Sequence, residues 1–393
     1  MKKTPIHILY YASRIGIVSL AIGMVGAFAI ESLTMLRQAK DMYMSDTTSL
    51  EKKLTESREE LEAMKKEDQF LRNEELDKEI KEIESTYDRA VDVYEDLLDL
   101  RDISKKTAPL EDEFGKALSL LSERKYSSAA AQLTLLSQKI EKERALVASS
   151  FTIPASVAQS NAPPGSGYSR QSVATEIGTF LVDIIAGDLG STRVIVDTAS
   201  SSDCRNDCPV LSLGEYAGRN GAYAGVNGSY FCPASYPTCS DKKNSFDTLL
   251  MNKNKTYFNS DNNVYSTVPA VIFLSGSVRF VGRSLDWGRD TSPDGVLANQ
   301  PLLLSGGSIA FIGDGDPKKG SKGSRSFVAN KGSTVFIGVT HNATVAEVSY
   351  VLKALGMENG LNLDSGGSTA LWSNGYKVGP GRGIPNAILF VRK

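Results

Sequence analysis

Histidine is nearly absent from this chain: His7 and His341 are the only two among 393 residues. Cysteine is scarce as well, with four residues, Cys204, Cys208, Cys232 and Cys239, all in the second half. Together these shortages argue against zinc. Neither cysteine pair has the C-x2-C spacing, and no histidine lies close by. No compact His/Asp/Glu group of ligand spacing occurs elsewhere, so no metal and no cofactor is assigned. A strong charge imbalance is missing too. The formal net charge of -2 gives no sign of a nucleic-acid-binding surface or of a strongly acidic partner. What the chain does have is 41% hydrophobic residues, enough for a core, and a length that suits roughly two or three structural units.

An even number of cysteines at short spacings suits disulfides in a domain outside the cytoplasm. Of the possible connectivities, local pairing of Cys204 with Cys208 and of Cys232 with Cys239 is preferred.

Proline and glycine are lacking over residues 50–101, where Glu, Lys, Asp, Leu and Arg dominate. Leu76, Ile80, Ile83, Tyr87, Ala90, Tyr94 and Leu97 recur at alternating spacings of four and three, a heptad seam. The earlier part, with Leu50, Leu54, Leu61, Met64 and Leu71, is looser. Pro109 interrupts the pattern. Two shorter helical stretches come next, one with Leu110, Phe114, Leu118 and Leu121 on a face, the other with Ala130, Leu133, Leu136 and Ile140. Residues 37–147 therefore read as a helical coiled-coil stalk. The shorter helices fold back on the long one or on a partner chain. The stalk is either a spacer that dimerises the protein or a solvated hairpin.

At the amino terminus, Lys2, Lys3 and Arg14 precede an uncharged run at 15–30. A full span needs about 20 residues, and Leu33, Met35 and Leu36 extend the run. Residues 15–36 are expected to form a signal-anchor transmembrane helix, with 1–14 as a cytoplasmic tail. Ala27-Phe28-Ala29 also fits a cleavage site, which keeps a secreted form open. Either reading exports the rest of the chain.

Residues 148–170 are small, polar and proline-rich, and read as a flexible linker. Beyond them, residues 171–393 read as an α+β domain, a mixed β-sheet with packed helices. Strands are expected at 179–185, 193–196, 222–227, 270–274, 278–281, 301–304, 308–312, 327–329, 334–339, 360–364 and 387–391. A short helix is expected at 211–220, with Ser212 as a plausible N-cap, and a clear one at 344–355, closed by Gly356.

Four groups carry possible chemistry. Asn227-Gly228-Ser229-Tyr230-Phe231 leaves a strand into a glycine-containing loop with two aromatics, although Asn-Gly is also a strong hairpin signal. Arg325 opens a strand, and a guanidinium suits phosphate or carboxylate. Asp364 ends a short apolar strand and enters the small-residue loop Ser365-Gly366-Gly367-Ser368-Thr369. Gly381-Arg382-Gly383-Ile384-Pro385-Asn386 precedes the last strand. His341 reads as a turn residue rather than a base.

In this order, the four groups and the Thr344/Glu347 helix start resemble the phosphodiester glycosidase family over about 175–391. The resemblance implies hydrolysis of the bond between a sugar's anomeric carbon and a phosphodiester oxygen. Its substrate would be a phosphate-linked glycan or saccharide of the envelope or exopolysaccharide. It implies catalytic roles for Asp364, Arg325 and Glu347, although Glu347 also suits the first turn of its helix. Substrate contacts would come from Asn227, Gly228, Tyr230, Phe231, Gly366, Gly367, Ser368, Thr369, Arg382 and Asn386. Ser365 stands where the family pattern has a first glycine. A non-catalytic phosphoglycan-binding module and a structural envelope protein remain the alternatives.

Overall fold

The computed structural model describes residues 6–261, 267–288, 290 and 292–393, with side chains described from residue 23 onward except at 68. The expected long helix is two helices, α1 (Ile6–Lys66) and α2 (Asp68–Arg101). They part at Glu67, whose N–H reaches Met64 O at 3.2 Å. Neither proline nor glycine marks that break. The chain divides into two units, Met1–Ile83 and Glu84–Lys393. In the first, Leu50, Leu54, Leu61, Met64, Leu71, Leu76 and Ile80 are all exposed. Among the described residues, no helix is long and apolar enough to cross a membrane. Residues 15–22 of the expected anchor lie outside the described side chains, and residues 1–5 of the expected tail lie outside the described residues.

In the second unit the end of α2 packs with α3 (Ala108–Ser122) and α4 (Tyr126–Ser150). Ala90, Val93, Leu97 and Leu100 are buried against Ala117, Leu121, Ala129, Leu133, Leu136 and Ile140. The later part of the seam is thus covered by the chain's own shorter helices.

The stretch read as a flexible linker is fastened to the strands beyond it. Phe151 stacks on His341 with ring centroids 6.4 Å apart. Gln171 Nε2 donates to Ser160 O at 2.8 Å, and Asn161 Nδ2 donates to Ala174 O at 2.8 Å. Side-chain amides supply hydrogen bonds that a proline-rich backbone cannot make for itself. The stretch belongs to the unit Glu84–Lys393.

Three sheets make up the rest. The first has seven strands in the order β1 (Gly167–Thr175), β2 (Gly178–Asp188), β13 (Thr334–Ala343), β12 (Gly323–Lys331), β14 (Asn359–Ser365), β10 (Leu302–Ser305) and β11 (Ser308–Ile309). The second runs β16 (Tyr376–Val378), β15 (Leu371–Ser373), β4 (Ala224–Asn227), β17 (Asn386–Arg392), β3 (Thr192–Thr198). The third runs β6 (Tyr257–Phe258), β5 (Leu250–Met251), β9 (Gly295–Ala298), β7 (Ala270–Leu274), β8 (Ser277–Val281). Every pairing between these strands is antiparallel, which corrects the expected mixed sheet. Parallel neighbours need a long crossover, usually helical. Here β1 and β2, β7 and β8, and β12 and β13 are instead joined by tight turns.

The central core lies among the inner faces of the three sheets. Ile185, Ile337 and Leu361 come from the first, Val226, Ile388 and Phe390 from the second, and Leu250, Phe273 and Leu297 from the third. Helix α5 (Leu213–Asn220) covers the second sheet through Leu213 and Tyr216. A one-turn helix, α6 (Pro317–Gly320), precedes β12. Helix α7 (Val345–Ala354) covers the first sheet through Val348, Val351 and Leu352. Both α5 and α7 open on a capping box, Ser212 with Glu215 and Thr344 with Glu347, as their sequences suggest.

Leu133 is fully buried between the helices of the bundle. Leu133→Ala is expected to destabilise that bundle by about 2–5 kcal/mol, read as a shifted urea midpoint in the helical circular-dichroism signal.

Candidate active site

The site forms where β14 ends against β12. Antiparallel register sets Arg325 opposite Ser365, next to Asp364. After Asp364 the chain enters a 3-10 turn, Gly366–Ser368, with Gly366 at φ 63°. That left-handed value favours glycine. Ser365 has φ -140° and ψ -173°, extended backbone that any residue adopts. Its place where the family pattern has glycine therefore carries no strain.

Asp364 is held from several sides. Its amide donates to Gly228 O at 2.9 Å, and one carboxylate oxygen accepts from the Ser365 N–H at 2.9 Å. Removal from water pushes its carboxyl up to about 6; the Ser368 hydroxyl, the Ser365 amide and the Arg382 charge oppose that rise, and Asp99 adds to it.

The two arginines differ in circumstance. Arg325 is 8% exposed. It donates from Nε to Ala343 O at 3.1 Å, and from Nη2 to Lys318 O at 2.8 Å and Ser321 O at 2.5 Å. Burial lowers its pKa, and Tyr230, Asp99, Asp316 and Asp364 pull it back up. Much of its fork thus holds the α6 loop. Arg382 takes its position from the backbone, its amide donating to Gly367 O at 2.8 Å. Its guanidinium lies 5.6 Å from the Tyr236 ring centroid, and Nη2 lies 2.8 Å from Asp102 Oδ2. Burial would lower its pKa, but Tyr236, Asp102 and Asp364 raise it, so it stays a cation.

The asparagines are scaffold. Asn227 is fully buried. Its Oδ1 accepts from the Ser326 hydroxyl at 2.7 Å and the Ala370 N–H at 3.1 Å, and its Nδ2 donates to Asp364 O at 2.7 Å. Asn386 is also fully buried and grips Ser229 through the amide N–H at 2.9 Å and the hydroxyl at 3.0 Å. A Cβ on Gly228 would run into the Asn386 side chain, so glycine is required there. Asn362 Nδ2 donates to Tyr230 Oη at 2.6 Å, while its buried Oδ1 has no partner among the described residues. Phe231 is half-buried against the cluster that holds Leu213, Tyr216 and Ala370. Thr369 Oγ1 donates to Ser324 O at 3.2 Å, tying the loop to β12.

Glu347 completes the capping box of helix α7. One carboxylate oxygen accepts from the Thr344 N–H at 2.7 Å, and Lys322 Nζ reaches both oxygens at 2.5 and 2.6 Å. These are the contacts of a helix cap. His341 is no turn residue, because β13 runs on past it. Its Nε2 is 2.6 Å from buried Asp183 Oδ2, and its Nδ1 is 3.5 Å from Ser324 Oγ. A cavity of about 490 Å³, lined by Gly313, Asp314, Lys319 and Thr344 among others, includes none of the expected site residues.

Both disulfides are local, Cys204–Cys208 and Cys232–Cys239. The second closes a loop that sets Tyr236 beside Arg382. Sequence reading missed Tyr236, Asn299, Asp99 and Asp102. Asn299 accepts from the Tyr230 N–H at 3.0 Å and donates to Asn362 O at 2.8 Å. Only the loop-like Asn299-Gln300-Pro301 composition hinted at it.

The family model for phosphodiester glycosidases matches residues 220–391. That stretch is a phosphodiester glycosidase domain. The family is one of hydrolases acting on phosphodiester glycosidic bonds. No curated protein matches the chain. Among solved structures, the chain is similar to a hypothetical protein from Synechocystis at 15% identity and TM-score 0.42, covering 57% of this chain and 62% of that one. It is also similar to the catalytic domain of zebrafish N-acetylglucosamine-1-phosphodiester alpha-N-acetylglucosaminidase, auto-inhibited by its pro-peptide, at 14% identity and TM-score 0.44. That match covers 60% of this chain and 87% of the other. The strands β1–β3 complete the glycosidase domain's sheets but precede its matched stretch.

Asn227→Ala would strand the Ala370 amide, the Ser326 hydroxyl and the Asp364 carbonyl. The expected cost is on the order of 3 kcal/mol, measured by urea denaturation. Ser326→Ala, which removes one partner only, should cost less.

Proposed function

We propose that the domain hydrolyses the bond between a sugar's anomeric carbon and a phosphodiester oxygen in envelope or extracellular glycans. The observation that carries this reading is one desolvated carboxyl, Asp364, at the entry of a glycine turn and within electrostatic reach of the Arg382 cation, inside a domain of this family. A phosphate monoester is a good leaving group and asks for less proton donation than an ordinary sugar alcohol. It asks instead for stabilisation of the charge that develops on its oxygens. Arg382 supplies this, with the cation of Arg325 behind it. Asp364, ionised, draws a proton from the attacking water or stabilises positive charge at the anomeric carbon. The Gly366 and Gly367 backbone and Ser368 orient the sugar or its phosphate.

The rest of the chain serves this domain as a tether. Residues 15–36 hold it at a membrane, with the amino terminus in the cytoplasm. The two disulfides support an oxidising setting outside it. Exposed Leu50, Leu54, Leu61 and Leu76 on α1 and α2 suit a second copy of the same helices.

The full chain should release sugar from a sugar-1-phosphodiester, and Asp364→Asn should abolish release with the fold intact. Turnover by that variant at the wild-type rate would remove Asp364 from the mechanism.

A pH profile checks the same group independently. Because Asp364 acts ionised, kcat/KM should rise with pH through about 6. Stability runs the other way. The folded pKa lies above the unfolded value near 4, so this group's contribution to stability is fully present below about 4. It is lost as pH rises through about 6. Urea midpoints should show that loss in the wild type and not in Asp364→Asn.

A further inference from the structure

The end of α2 and the residue after it carry three carboxylates, Glu95, Asp99 and Asp102, spaced by four and three and so on one face. All three make polar contacts beyond the helical bundle. Glu95 Oε1 accepts from the Thr238 N–H at 3.1 Å and the Thr238 hydroxyl at 2.5 Å, and Glu95 Oε2 is 3.8 Å from Lys318 Nζ. Asp99 accepts a hydrogen bond from the Tyr236 hydroxyl. Asp102 Oδ2 is 2.8 Å from Arg382 Nη2. A Cβ built on Gly367 would strike both the Asp102 carboxylate and the Arg382 guanidinium. The acid and the arginine therefore meet directly over the glycine turn.

An anionic group is thus already seated between Arg382 and the turn. A carboxylate and a phosphate oxygen present the same acceptor to a guanidinium, and the two cannot share one place. We propose that Asp102 is a built-in occupant of the phosphate position, and that a substrate's phosphate binds only when the α2–α3 turn releases Arg382. This rests on the glycosidase reading, which makes Arg382 the phosphate partner. The pair suits exchange. Its side chains are 23% and 36% exposed, and ion pairs that wet are weak enough to yield to a phosphate held by two hydrogen bonds. Asp102 sits just past the last helical residue, Arg101, where displacement need not break helical hydrogen bonds. Glu95 and Asp99 remain on Thr238 and Tyr236 as the hinge side of the contact.

The test titrates the full chain with inorganic phosphate by calorimetry, comparing wild type with Asp102→Ala, the isosteric Asp102→Asn, and Arg382→Ala. Removing the competitor should tighten phosphate binding about tenfold or more in both Asp102 variants, and Arg382→Ala should remove that binding. Asp102→Asn keeps the side-chain shape and answers the question if Asp102→Ala fails to fold. Unchanged or weaker phosphate affinity in the folded Asp102 variants would overturn the proposal, since Asp102 would then position Arg382 rather than compete for it. The glycosidase reading fails separately. If no chain cleaves a sugar-1-phosphodiester but the Asp102 variants still bind phosphate more tightly, the occupant stands and the hydrolase does not. If wild type cleaves and phosphate affinities are equal, the hydrolase stands and the occupant does not.

Discussion

One buried amide fixes the geometry of this site. Asn227 sits at the end of β4, in the second sheet, and its side chain bonds to β12 in the first sheet and to both ends of the Asp364 loop. No water reaches it, so each lost partner would leave a buried polar group bare. The constraint works in both directions. The amide holds both ends of the loop that begins at Asp364, and the two sheets must keep their register for the amide to be satisfied. Asn386 and Asn299 repeat this device around the 228–230 turn. An active site assembled from loop backbone is thereby given the rigidity of the sheets beneath it.

Electrostatics then divides the labour. Asp364 is desolvated and reluctant to ionise, whereas Arg382 is kept charged by its neighbours. Arg325 spends its hydrogen bonds on three carbonyls and contributes charge more than contact. Two residues of one type thus sit in different surroundings, Arg382 against an acid and an aromatic ring, Arg325 against backbone carbonyls. At Glu347 the carboxylate satisfies the first turn of α7 and pairs with Lys322.

Local chemistry was legible in the sequence, and long-range pairing was not. Ser212 and Thr344 mark their helices because a capping box is written within four residues. The cysteine pairs close where spacing is short. The glycosidase motifs lie in strands and turns much as their composition suggests. Strand direction was misjudged because hydrophobic pattern is silent on whether neighbours run parallel. The 148–170 stretch has the composition of a tether, and only the distant partners of Asn161 and Gln171 make it part of a folded unit. Asp102 looked like one more charge on a solvated helix. Its partner is Arg382, 280 residues further along, and no periodicity encodes such a contact.

The backbone angles of the glycine turn have a consequence for how such a domain diversifies. Gly366 is fixed by its left-handed φ, and Gly367 by the side chains stacked upon it. Ser365 is fixed by neither, since its extended backbone accepts any side chain. Of three neighbouring positions beside the acid, a single one is free to vary without strain. A different side chain can therefore be accommodated there without disturbing the backbone of the turn. The chain's serine is then one setting of an adjustable position, followed by two that must stay glycine.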